Sequence, residues 1–260
     1  MLKGRCALIT GSTQGLGYAM AERLAAEGCD IVMNGFGDKD EIESRRRKLE
    51  NNHGVRAIHH GADVADAAQI ADLMATAART FGTVDVLINN AVIRYFSPIE
   101  KFRPEDWDRA LAVNLSAAFH TVRLALPGMR ERDFGRIVNV ASVYGLFATV
   151  NRVDYVTTKT ALIGFTRAIA LETARTNITC NAICPGTIPT PDIEGRLEAE
   201  RAKSGQSREE AERAFLAARQ PSGKFVAPER VAALVTLLCG PSGADITGSA
   251  IPIDGGWSAA

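Results

Sequence analysis

The sequence predicts an α/β fold, a doubly wound parallel sheet forming one domain over residues 1–260, with a helical lid at about 188–224. Short apolar runs rich in β-branched residues alternate with longer helical patterns along the 260 residues, as units of strand, crossover helix and parallel strand require. The first run leads straight into a glycine cluster that opens a helix. The length suits a single sizeable core, and no internal repeat or low-complexity stretch interrupts it.

The elements follow in order. "CALIT" (6–10) reads as a buried strand, and "YAMAERLAAEG" as an amphipathic helix stopped at Gly28. "DIVMNG" is a second strand, with a charged helix from about Asp40 to Asn51 behind it. "AIHHGADV" and "DVLINNA" are the third and fourth strands, separated by a helical pattern over 66–81. One helix is expected around 104–130, then "RIVNVAS" as the fifth strand. The helix holding "NRVDYVTTK" follows, with Asn151 the expected N-cap and Asp154 its capping-box partner. "ITCNAICPG" is the sixth strand, and a helix at 228–239 precedes the last strand, "SAIPID". Between them "EGRLEAERAKSGQSREEAERAFLAAR" is charged, helix-favouring and interrupted by Ser204 and Gly205. It reads as a solvated helical hairpin. It also follows a strand's carboxyl end, where open α/β sheets bind ligands, so it is placed to act as a lid.

Composition narrows the function classes. Zero formal net charge gives no general attraction to nucleic acid or to an anionic membrane surface. No run approaches the roughly 18 apolar residues of a membrane span, and the N-terminal apolar patch is too short for a signal peptide. The five cysteines, Cys6, Cys29, Cys180, Cys184 and Cys239, are odd in number and lack a C-x-x-C pair. They read as buried reduced thiols of a cytoplasmic protein. His59 and His60 have no further ligands at metal spacing, so no metal site is expected.

"TGSTQGLG" (10–17) lies between the first strand and the first helix. Gly11, Gly15 and Gly17 permit a tight turn in which backbone N–H groups approach a pyrophosphate, with Thr13, Gln14 and Leu16 completing the loop. The spacing G-x-x-x-G-x-G departs from the commoner G-x-G-x-x-G. The loop and the strand end "MNGFGD" carry no arginine or lysine before the acidic Asp38; the nearest cation is Lys39. NAD is therefore expected rather than NADP. Phe36 is placed to wall the adenosine. Asp63 with Val64, and Asn90 with Ala91, fall at carboxyl strand ends from which adenine and ribose are reached.

Arg152, Tyr155 and Lys159 are spaced by three and four residues, so a helix presents them on one face. Ser142 ends the fifth strand. A free phenol, with pKa about 10, is a poor base near neutrality, and an adjacent ammonium makes phenolate easier to form. "TGSTQGLG", "NNA", Asn114 in "VNLSAAF", Ser142, "YVTTK" and "PGTIPT" stand in that order. Over essentially its full length the chain thereby resembles the short-chain dehydrogenase/reductase family, whose sheet is of the Rossmann type. The resemblance implies hydride transfer between a nicotinamide and a secondary alcohol or ketone. Tyr155 would be the general acid/base. Lys159 would tune it and hold the nicotinamide ribose, and Ser142 would hold the substrate oxygen. Asn114 would anchor a water-linked proton path. Pro185, Gly186, Thr187, Ile188 and Thr190 would meet the nicotinamide carboxamide. A homotetramer through the helices around 104–130 and 153–174 and the last strand is implied too.

"NGFGD", "LALPGMR", "NITCNAICPG" and "DGGW" are similar to the 3-hydroxybutyrate dehydrogenase branch, which implies (R)-3-hydroxybutyrate and acetoacetate as substrates with NAD. The pocket departs from that branch. Arg94, Tyr144 and Arg152 stand where it shows Gln, His and Lys, Thr187 replaces a tryptophan, and Val92 replaces a glycine. Arginine pairs bidentately with carboxylates, so Arg152 is expected to keep the anion-binding task while Arg94 adds a second cation. Tyr144 is expected to wall the pocket, and Trp257 to close it or to pack. A bulkier or doubly charged hydroxy acid, or a cyclic or sugar alcohol, is the alternative substrate. A non-catalytic dinucleotide-binding regulator is the remote alternative, against which the complete set Asn114, Ser142, Tyr155 and Lys159 stands.

Overall fold

The computed structural model describes residues 2–260, apart from the side chain of Asp192. Among the described residues seven strands form one sheet: β1 (Cys6–Ile9), β2 (Asp30–Asn34), β3 (Ala57–His60), β4 (Val86–Asn89), β5 (Gly135–Val140), β6 (Ile178–Pro185) and β7 (Ala250–Ile253). Their order is β3-β2-β1-β4-β5-β6-β7, and every neighbouring pair is parallel. Strand order reverses between β1 and β4, which opens a crevice at the carboxyl ends of those strands.

The period of two along each strand sends alternate residues to opposite faces. Ala7 and Ile9 of β1 join a core with Met20 and Leu24 of α1 (Gly15–Ala26) and Val231 and Val235 of α9 (Pro228–Cys239). Leu8 of β1 faces the other way, joining Leu73 of α3 (Ala67–Phe81) and Val122 and Met129 of α5 (Ala117–Glu131). Helices thus cover both faces, and truncating a fully buried Leu24 to alanine would cost about 2–5 kcal/mol. The charged α2 (Lys39–His53) is capped by Asp38, whose carboxylate accepts from Asp40 and Glu41 N–H, and α2 ends at Gly54 in the left-handed region.

Three expectations about elements are corrected. The single helix expected around 104–130 is α4 (Pro104–Leu111), a π-helical turn at Ala112–Ser116, and α5. The wider turn holds Asn114, whose amide closes on the Ile93 backbone: Ile93 N–H donates to Oδ1 at 2.9 Å and Nδ2 donates to Ile93 O at 3.0 Å. Asn151 is not the N-cap of α6 (Val153–Thr173). It adopts a left-handed φ of 60°, and Arg152 occupies the cap position without a side-chain cap bond. Asp154 forms no capping box; it is buried, and its Oδ2 accepts from Tyr95 N–H at 3.4 Å. The lid segment is a hairpin, α7 (Pro191–Ser204) and α8 (Arg208–Leu216), joined through Arg208 donating to Glu194 at 2.9 Å and a Ser207–Glu210 capping box.

Candidate active site

The glycine loop sits at the crevice with its helix end open. Gln14 caps α1 without a side-chain hydrogen bond, and the first turn carries no acidic residue. The N–H groups opening an α-helix have no intrahelical partner, so this terminus suits an anion. A Cβ at Gly15, whose φ is +57°, would meet nothing within 4 Å, whereas one at Gly17 would stand 2.1 Å from the Gly11 carbonyl oxygen. Gly15 therefore leaves room beside the donors, and Gly17 lets α1 pack onto the loop. These features fit a dinucleotide's pyrophosphate.

The loop is held from below by side chains at strand ends. Asn90 Nδ2 donates to the carbonyls of Thr10 and Gly11, both at 2.9 Å, and Asn34 Nδ2 donates to His60 and Ala62 carbonyls at 3.0 and 2.9 Å. Asp63 pairs with Arg109 at 2.8 Å and accepts from Ala65 N–H at 3.0 Å. Asp63 and Asn90 stand at the strand ends with side chains already engaged, while Val64 and Ala91 pack into the core. Phe36 is 62% exposed, and its carbonyl accepts from Thr13 Oγ1 at 2.8 Å. One cation beside the loop escaped the sequence reading. Arg45 of α2 donates to the Thr13 carbonyl at 2.6 Å and to Glu41 at 3.2 Å. Nothing in its spacing distinguishes it from the other arginines of α2; only the turn of the helix brings it there.

At the end of β5, Ser142 Oγ accepts from Tyr144 N–H at 3.2 Å and starts a short 3-10 turn. Gly145 in that turn lies against α6; a Cβ there would sit 2.7 Å from the Lys159 carbonyl oxygen. The close approach sets Ser142 beside the buried Tyr155 and Lys159. Lys159 Nζ lies 5.7 Å from the Tyr155 ring centroid and donates to the Val140 carbonyl at 2.6 Å. Burial by itself raises the phenol's pKa, but the Lys159 ammonium, the Arg94 guanidinium and a hydrogen bond with Ser142 outweigh it, so Tyr155 is displaced downward from 10. Burial brings the Lys159 ammonium down to about 8, opposed by the neighbouring phenol and reinforced by Arg94. A cavity of about 10 Å³, lined by Thr10, Asn89, Asn114 and Lys159 among others, lies behind the lysine. That is room for one water among several polar partners.

Two arginines flank the phenol. The Arg152 guanidinium is 3.8 Å from the centroid of Phe96 and 4.8 Å from that of Tyr155, and that of Arg94 is 5.5 Å from Tyr155. Arg152 is 8% exposed with an unpartnered Nε, and Arg94 is exposed. Tyr144 packs edge-on to Tyr155 at 6.4 Å and to Trp257 at 5.3 Å, and Trp257 also meets Phe147 at 5.7 Å. The segment leaving β6 carries the next group of candidates. Pro185 is buried, and Gly186 and Ile188 lie half-buried beside Thr187. The Thr187 N–H is taken by the buried Gln220 side chain, its carbonyl accepts from Val226 N–H at 2.9 Å, and Thr190 Oγ1 caps α7. Gln220, Phe96 and Asp154 were not legible as site neighbours: each belongs to a loop or helix start with no motif of its own.

All five cysteines are free and buried, and no group of three metal-ligating side chains occurs among the described residues. His59 Nε2 meets the Gly35 carbonyl at 2.9 Å and His60 meets Asp72 at 3.2 Å, both structural contacts. No helix among the described residues is long and apolar enough to cross a membrane.

Comparison with known proteins adds four findings. Residues 5–201 match the family described as short chain dehydrogenase. The chain is 46% identical to a D-beta-hydroxybutyrate dehydrogenase of Cupriavidus necator over 100% of both chains. It is 42% identical to one of Rhizobium meliloti over 98% of this chain and 99% of the other. Among solved structures, L-sorbose reductase from Gluconobacter frateurii, complexed with NADPH and L-sorbose, superposes with a TM-score of 0.92 at 30% identity, covering 100% of this chain and 98% of that one.

Proposed function

From the premise that the chain belongs to the short chain dehydrogenase family, and is therefore an oxidoreductase using a nicotinamide dinucleotide, we propose that it interconverts (R)-3-hydroxybutyrate, or a closely related hydroxy acid, and the corresponding keto acid with NAD. The observation that carries this reading is the buried Tyr155 with Lys159 and Ser142 around it and Arg152 on the same face. NAD, when bound, supplies the hydride acceptor. Ser142 holds the substrate oxygen. Tyr155, as phenolate, takes the hydroxyl proton, and the Lys159 ammonium stabilises that phenolate. The proton leaves past Lys159 toward the small cavity beside Asn114. Arg152 receives the carboxylate, and Tyr144 with Trp257 walls the carbon chain. The preference for NAD rests on the exposed Phe36 and on Arg45 being engaged by Glu41 and the Thr13 carbonyl.

The likeness to L-sorbose reductase favours a sugar alcohol as the second reading. Steady-state formation of NADH from the hydroxy acid, set beside consumption of NADPH with L-sorbose, separates the two. Turnover of (R)-3-hydroxybutyrate with NAD at a kcat/KM well above that with NADP supports the proposal. Activity confined to L-sorbose with NADPH would overturn both the substrate and the cofactor.

A homotetramer in the cytoplasm completes the reading. Phe119 on α5 and Leu171 on α6 are exposed apolar residues on the helices expected to pair, and β7 is a half-exposed edge. The five free thiols suit a reducing compartment.

A further inference from the structure

Arg152 is a cation placed where burial ordinarily demands a partner, and no carboxylate among the described residues contacts it; Asp154 and Tyr155 act on it only at longer range. No carboxylate lies within 4 Å of it among the described residues, and Phe96 and Tyr155 cover the faces of its guanidinium instead. Its Nε is buried without a hydrogen bond, and its Nη atoms donate to nothing among the described residues. An uncompensated buried charge is costly, so the arrangement is completed by an anion from outside. Arg94 lies near the same phenol, its guanidinium 5.5 Å from the ring centroid, and it too has no carboxylate partner among the described residues. The distances from Tyr155, 4.8 and 5.5 Å, limit the two guanidinium carbons to about 10 Å of each other. Lys159 adds a third positive charge on the same phenol. Asp154, the nearest acid in sequence, gives one oxygen to Tyr95 N–H and forms no ion pair with either arginine. One carboxylate neutralises one arginine and leaves the other idle.

We infer that the substrate for which this pocket is built is a hydroxydicarboxylic acid, its hydroxyl between two carboxylates, with one carboxylate on Arg152 and the other on Arg94. The inference rests on the hydroxy-acid reading given above and narrows it. The Tyr144, Phe147 and Trp257 rings form one apolar cluster touching the phenol through Tyr144, so the charged ends of the substrate fall to the arginines.

The test compares 3-hydroxyglutarate with (R)-3-hydroxybutyrate as NADH-forming substrates, in the unaltered enzyme and in Arg94→Gln. The diacid is expected to show roughly ten-fold higher kcat/KM, the scale of one additional charge-assisted hydrogen-bonded contact. Arg94→Gln, at an exposed position, is expected to lower kcat/KM for the diacid about ten-fold more than for the monoacid. Glutarate should correspondingly inhibit more strongly than butyrate, and Arg94→Gln should erase that difference. Equal or better turnover of the monoacid, with no selective effect of Arg94→Gln, overturns the inference and leaves the hydroxy-acid reading standing. Turnover of neither acid, with neither glutarate nor butyrate inhibiting, overturns both.

Discussion

Arg136 and Arg152 are the same residue type at nearly the same burial, 6% and 8% exposed, at opposite ends of the sheet. Each stacks on a phenylalanine, Arg136 at 4.5 Å from Phe134 and Arg152 at 3.8 Å from Phe96. Burial displaces both guanidinium groups downward from their usual value, and in both Nε lacks a partner. The difference is in the Nη atoms. Arg136 Nη1 donates to the carbonyls of Gly135 and Asn177 at 2.8 and 2.7 Å, while Arg152 donates to nothing among the described residues. Asp85 beside the amino end is likewise satisfied, by Arg5 at 3.1 Å, Arg132 at 3.4 Å and the Cys6 N–H at 2.9 Å. At the amino ends of the strands, buried polarity is closed within the fold and serves stability. On the carboxyl side, where Asn34, Asn90 and Asp63 are engaged within the fold, Arg152 alone of these groups is left open, as a site for something not part of the chain requires.

The largest effect that contrast predicts is at Tyr155. Tyr155→Phe removes the proton acceptor while keeping the ring that Arg152, Arg94 and Tyr144 pack against. We expect kcat to fall by about 10³-fold, within the range of general acid–base catalysis, with Tm and dinucleotide binding unchanged. A kcat within a few-fold of the unaltered enzyme would remove Tyr155 from the chemistry.

The next two substitutions form a pair. Arg136→Ala leaves two carbonyls without their donor and an unfilled space, and should cost about 2–3 kcal/mol in urea unfolding with KM unchanged. Arg152→Gln should do the reverse: no loss of unfolding free energy, since no internal hydrogen bond is lost and a buried charge without a contacting carboxylate is removed, and KM for the hydroxy acid raised roughly ten-fold or more. Equal stability losses at the two sites would break the comparison.

Much of this site was legible before the structure. Alternating strands and helices gave the sheet, and the glycine loop after β1 and the spacing of Tyr155 and Lys159 located the crevice and its reactive face, because these are local patterns of period and spacing. The misses share one cause. The π turn at Ala112–Ser116, the buried Asp154 and Arg45 against the Thr13 carbonyl all arise from tertiary contacts between segments far apart in sequence. Asn151 and Asp154 carry the residue types of a capping box, yet the loop bearing Arg94 and Phe96 takes their groups instead: Ser97 N–H donates to the Asn151 carbonyl at 3.2 Å and Tyr95 N–H to Asp154. Local capping lost to docking of the Arg94 loop, which the sequence of α6 alone does not encode.

That docked loop yields the smallest predicted effect. It holds Arg94 near the phenol, where the guanidinium is one of the influences that displace Tyr155 downward, behind Lys159 and against the effect of burial. Oxidation needs the phenolate, so kcat/KM should rise with pH and level off above an inflection lying below 10, while ketone reduction, which needs the protonated phenol, should fall through the same inflection. Removing a positive charge disfavours phenolate, so Arg94→Gln should move the inflection upward; a loss of the Arg94 charge cannot move it down. Lys159, brought to about 8 by burial, titrates against the same phenol, so the measured inflection belongs to the pair, and its direction of movement is the quantity to read. A pH–rate profile of Arg94→Gln superimposable on that of the unaltered enzyme would place the Arg94 charge outside the reach of Tyr155 and confine that arginine to holding substrate.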